Sequence, residues 1–167
     1  MDAVTYPDAR VASFLNNNFN NIRTNIREPQ PSVKDLLRAV KPPWAPTFVF
    51  IGPRNVELRR YVGWLAPDEF LAELHFVLGV DRLLRRKFDE AGEHFRAAVD
   101  DKLRNGIAPE ALFWVGVAAY KTGGKPALRT AWDELVQRYP ESTWARRCDV
   151  WDMDGDAGTE GHSGIGA

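Results

Sequence analysis

The side chains best able to do chemistry are few and far apart. There is one cysteine, Cys148. Thiol–disulfide exchange needs two thiols, one attacking as a thiolate and one resolving the mixed disulfide. A lone cysteine makes neither a Cys-x-x-Cys site nor a disulfide framework, and Cys148 reads as a small packing residue buried in the last helix. His75, His94 and His162 are scattered and lack His-Glu-x-x-His spacing, so no metal site is expected. Asp152, Asp154 and Asp156 alternate as in a calcium loop. Ala157, however, stands where that loop needs glycine, and Ser163 stands where a bidentate glutamate would close it. Arg82, Arg85, Arg86 and Lys87 place positive charge at a helix end, complementing the helix dipole, and read as a solvated face. The sequence shows no glycine loop that could cradle phosphate and no usefully spaced nucleophile and base. No catalytic residue, metal or cofactor is expected.

Composition narrows the partners. Of 167 residues, 44% are hydrophobic and 27% charged, and the net charge is −1. These are values of a soluble globular chain, and no global field favours nucleic acid or an acidic membrane surface. Asp2 follows Met1 directly, without the basic and apolar segments of a secretory signal. No run approaches the eighteen apolar residues of a membrane helix. A soluble, cytoplasmic protein with protein or peptide clients is expected, binding neither nucleic acid nor membrane.

The elements that would position any site follow from periodicity and breakers. Tyr6-Pro7-Asp8 predicts a helix start, and Val11, Phe14 and Leu15 share one face before the asparagines at 16–18 end it. Residues 19–27 predict a short strand with Ile22 and Ile26 on one face. Pro29 and Pro31 break it. Val33, Leu36, Leu37 and Val40 have helical spacing up to Pro42-Pro43. Thr47-Phe48-Val49-Phe50-Ile51 predicts a strand buried on both faces, because its apolar run is unbroken. The turn residues 52–55 lead into a returning strand over 56–62, and Pro67 opens the next helix at its first turn. From Asp68 to about Trp151 the pattern is helical, cut into segments of ordinary length by Gly106, Pro109, Gly123, Gly124, Pro126 and Pro140. Residues 152–167, rich in glycine and aspartate, are expected to be disordered.

The helical half repeats itself. At a period of 37, Gly79 falls on Gly116, Leu78 on Val115, Ala91 on Leu128, Phe95 on Trp132 and Ala98 on Leu135. A glycine in one helix lets the next helix approach its backbone, and a bulky aromatic fills the next layer. These spacings resemble a tetratricopeptide repeat, with three extra residues that Thr122-Gly123-Gly124 can absorb in a turn, and Pro140 ends the second unit.

The first half resembles the later part of a thioredoxin fold. The residues that carry the resemblance are Trp44-Ala45-Pro46-Thr47 before the strand Phe48-Val49-Phe50, the turn Gly52-Pro53-Arg54-Asn55, and the run from Arg60 to Phe70. Tyr6-Pro7-Asp8 to Phe14 and then 19–27 add to it. The resemblance covers residues 1–77 and implies a cis Ala45–Pro46 bond. It also implies a groove lined by Ala45 and Pro46, with Trp44 and Thr47 beside them, that holds an extended substrate by its backbone. The family places a central strand and Cys-x-x-Cys upstream of the helix in which this chain starts, and neither is present in this sequence.

The expected fold class is α+β: an incomplete thioredoxin-like α/β sandwich over 1–77, then tetratricopeptide-like helical hairpins over 75–151, packed through Gly79, Ala91, Phe95, Gly116, Leu128 and Trp132. The expected function is that of a thioredoxin-family protein with a thiol–disulfide redox role in a longer form and no redox activity in the chain as it stands. The alternatives are a non-catalytic adaptor that binds protein through the groove and the repeats, and a purely structural helical protein.

Overall fold

Several helices begin where a side chain or a proline meets the unpaired N–H groups of a first turn. The computed structural model describes residues 1–100 and 106–148, so His162 and the expectations for 149–167 lie outside the described residues. Helix α1 (Ala9–Asn18) is capped by Asp8, whose carboxylate accepts the Arg10 N–H at 2.9 Å. A 3₁₀ turn at Pro31–Val33 leads into α2 (Lys34–Val40), which ends at Lys41 in the left-handed region. Helix α3 (Pro67–Leu84) starts with proline, and Glu69 reaches back to accept the Ala66 N–H at 3.0 Å.

Strands β1 (Thr47–Ile51) and β2 (Glu57–Val62) form an antiparallel hairpin, with Thr47 opposite Val62 and Phe50 opposite Arg59. The register slips between Phe50 and Ile51, just before the 3₁₀ turn Pro53–Asn55. One face of the hairpin carries Phe48, Phe50 and Tyr61. It packs on Val11, Leu65, Phe70, Leu71 and Leu74, with Phe14 and Phe19 of the α1 segment closing the side. Thr5 is fully buried beneath this layer and donates its hydroxyl to the Leu65 carbonyl at 2.6 Å, which ties the start of the chain to the end of the hairpin.

Two expectations for this half are corrected. Residues 19–27 form no strand: the sheet among the described residues has two strands, and a strand without a partner has no ladder to hold it. Ile22 is 67% exposed, and Arg23 reaches Asp2 at 2.8 Å. Nor is β1 buried on both faces. Its residues are half-buried, with Ile51 exposed, because among the described residues the face opposite α1 and α3 carries no closely packed layer.

The second half is helical. Helix α4 (Phe88–Ala98) returns antiparallel to α3. Helix α5 runs over Ala108–Arg138 but breaks at Gly124, with φ 67° and ψ −160°, a backbone region open to glycine and costly to other residues. The break turns a 31-residue run into two arms. Pro126 sits at the start of the second arm, where its missing N–H does no harm. A short α6 (Thr143–Cys148) closes the end. The core spans these helices, with Ala91, Phe95, Ala98, Leu128, Trp132 and Leu135 all buried. A Cβ added at Gly79 would meet the Phe95 ring at 2.6 Å, and one at Gly116 would collide with the Trp132 ring. The same close approach therefore occurs at both places, 37 residues apart. Trp132 also donates its indole N–H to the Phe113 carbonyl at 3.1 Å.

The architecture is a mixed α+β arrangement. Helix α3 belongs to both halves: Phe70, Leu71 and Leu74 face the hairpin layer, while Ala72 and Phe76 face the helical core.

Candidate functional site

The groove residues expected from sequence converge at one end of the hairpin. Pro46 accepts the Gly63 N–H at 2.9 Å, which brings the segment before β1 against the segment after β2. The Ala45–Pro46 bond is cis. The Thr47 hydroxyl donates to the Trp44 carbonyl at 2.5 Å and closes the turn. Trp44 is 71% exposed and Trp64 is 53% exposed. Ala45 and Pro46 are also exposed. Both indoles lie at this end of the hairpin, and exposed large apolar groups of this kind often mark binding sites.

Among the described residues, the edge of β1 beside this end has no partner strand. The Gly63–Pro46 bond fixes the phase of the ladder, so Phe48 and Phe50 exchange hydrogen bonds with β2. The alternation of an antiparallel pair then turns the N–H and C=O of Thr47 and Val49 to the other side. No backbone partner meets them among the described residues. The strand has no lysine, proline or glycine to blunt that edge, and such protection is usual where an edge stays bare.

A second polar cluster, not singled out in the sequence, joins the two halves. Arg59 on β2 forks between Glu73 on α3, at 3.0 and 3.2 Å, and Glu110 at the start of α5, at 3.1 Å to both oxygens. Its guanidinium also lies 4.7 Å over the Phe76 ring. The three side chains border a cleft of about 230 Å³. Burial works against the Arg59 charge, yet the carboxylates of Glu73 and Glu110 hold it above its ordinary pKa. Burial pushes the Glu73 carboxyl up, with Arg59 opposing and Glu110 adding to the rise. Both carboxylates are committed to one guanidinium, so the cluster is a clamp, with neither acid free to move a proton. The sequence signal was faint: Arg59 and Arg60 alternate in a strand, and only the tertiary fold says which one turns inward.

The remaining candidates are resolved locally. Cys148 is buried in the helical core, with its thiol 3.4 Å from the Trp144 carbonyl. The basic helix end is more than a solvated face, because Arg82 and Arg85 both pair with Asp81 while Arg82 and Lys87 reach Glu90. His75 and His94, unconnected in sequence, lie side by side with ring centroids 5.8 Å apart. Among the described residues no group of three possible metal ligands gathers, and no helix is long and apolar enough to cross a membrane. Comparison with protein-family models, curated proteins and solved structures gives no match.

Proposed function

We propose that this chain is a client-binding module of thioredoxin-like design, carrying tetratricopeptide-like helical hairpins, that holds an extended polypeptide along the free edge of β1. The observation that carries this reading is the unpaired edge at Thr47 and Val49, with the exposed indole of Trp44 just before it and that of Trp64 at the same end of the hairpin. An extended segment added there gains main-chain hydrogen bonds from the edge and apolar contact from the indoles, the recognition mode of strand addition. The Ala45–Pro46 turn lies at the mouth of this surface, as the groove of the resembled family would require. Thiol–disulfide exchange belongs, on this reading, to a longer form that supplies a dithiol. The chain itself has one thiol, and that thiol is buried.

The test is a titration with a reduced, carboxymethylated, permanently unfolded polypeptide, followed by tryptophan fluorescence. Saturable binding is expected, weakened at least tenfold by Trp44→Ala with the fold intact by circular dichroism. Binding that Trp44→Ala and Trp64→Ala both leave unchanged would place the site elsewhere. The same chain should reduce insulin disulfides no faster than the dithiothreitol background.

A further inference from the structure

His75 and His94 sit where the two halves meet, and nothing in the proposed binding function uses them. His75 is on α3 and His94 on α4, and their rings are tilted 44° to each other. On its other side the His75 ring contacts Phe14 of α1, with centroids 4.5 Å apart. Phe14 in turn meets Phe19, which meets Phe50 of β1. A line of aromatic contacts thus runs from α4 through the two imidazoles and α1 to the hairpin. Both histidines are half-buried, and the Nδ1 of His75 is buried with no hydrogen-bond partner among the described residues.

The charged surroundings do not favour imidazolium. From α1 the group facing His75 is the uncharged Phe14 ring. From α4 it is His94, a second basic group that disfavours charge on His75. Around His94, Arg82 of α3 opposes protonation, while Glu90 and Glu93 of α4 favour it and are outweighed by burial and Arg82. Glu90 is itself engaged by Arg82 and Lys87.

We propose that His75 and His94 form an acid-sensitive latch that holds α1 against the α3–α4 hairpin while both rings are neutral and releases it when they are protonated. Neutral, they are two flat rings in a chain of aromatic contacts. Protonated, they are two like charges side by side, His75 against the phenyl ring of Phe14 and His94 with Arg82 outweighing Glu90 and Glu93. Relief comes when α1 moves away and admits water. That movement also withdraws Phe14 and Phe19 from beneath Phe50, which loosens the floor of the hairpin.

The direction of the pH dependence follows from linkage. Burial, with His94 adding, pushes His75 down to about 4 from an ordinary 6.5, and His94 moves the same way. A histidine depressed in the folded state binds fewer protons than when unfolded. Its contribution is complete above pH 6.5 and is lost as pH falls toward 4. Between pH 7.5 and 5, His75 alone would lower the folding constant by about 30-fold without screening, and its partial solvent access reduces that to about tenfold.

The experiment is a pH titration of the full chain from 7.5 to 4.5. It uses imidazole proton signals to follow ionisation and amide exchange over residues 9–18 to follow α1. His75 should titrate near 4 and His94 below its ordinary 6.5, and α1 amides should lose protection at least tenfold by pH 5 while α5 amides keep theirs. In His75→Gln/His94→Gln, neutral at every pH, that loss should shrink to less than threefold. A second variant, Phe14→Leu, keeps both imidazoles but shortens the link to α1 and should uncouple their titration from α1 exchange. Titration of both imidazoles near 6.5, or an undiminished loss in the double variant, would overturn the proposal. Should the double variant fail to fold, the wild-type titration midpoints and Phe14→Leu decide the matter.

Discussion

At the scale of single residues, Arg59 holds the most. It bridges two carboxylates on different helices, Glu73 of α3 and Glu110 of α5, and its side chain is only a quarter exposed. Replacing it with methionine keeps the contact with Phe76 but leaves Glu73 and Glu110 facing each other. Breaking a buried pair costs 3–5 kcal/mol, and partial exposure reduces the expectation to about 2 kcal/mol. The sign with pH is distinctive. Glu73 is raised in the folded state, so it binds more protons folded than unfolded, and acid relieves the repulsion that the substitution creates. Urea midpoints should therefore show a smaller gap between wild type and Arg59→Met at pH 5 than at pH 7. A gap that is constant or wider at pH 5 would contradict the clamp. The histidine pair titrates in both proteins and cancels from the comparison.

At the scale of elements, the helical hairpins rest on two glycines beneath two rings. Gly79→Ala and Gly116→Ala should each destabilise by about 1–3 kcal/mol, because the added methyl meets the Phe95 or Trp132 ring. Phe95→Ala and Trp132→Ala should cost about 3–5 kcal/mol each, since both rings are buried in the helical core. Thermal melts of the four variants check this. A Gly79→Ala protein as stable as wild type would mean that α3 and α4 are not in close contact there. These positions could be read in the sequence because a glycine and an aromatic recurring 37 residues apart leave a periodic trace. The hairpin was also legible, since Thr47–Ile51 is an unbroken β-forming run followed by turn residues. The strand expected at 19–27 was not, because alternation alone says only what a strand could bury. Ile22 and Ile26 find no layer to pack against in this fold.

At the scale of the whole molecule, α3 is the common wall, and the ties across it were invisible to spacing arguments. The clamp draws on residues 59, 73 and 110, and the Thr5–Leu65 hydrogen bond closes a loop of 60 residues. Local patterns carry no record of such separations, whereas residues 44–47, expected to line a groove, are contiguous in the sequence. The same view explains why the hairpin can serve as a platform. Its inner face is fixed by Phe48, Phe50 and Tyr61 on α1 and α3, which leaves the edge of β1 ready to pair without rearranging the core. The most direct test of this account is residue-resolved amide exchange with and without the carboxymethylated, unfolded polypeptide. Strand addition at β1 predicts that the amides of Thr47 and Val49 become protected at saturation, while Phe48 and Phe50, already bonded to β2, change little. Unchanged exchange at Thr47 and Val49 in a saturated complex would contradict it.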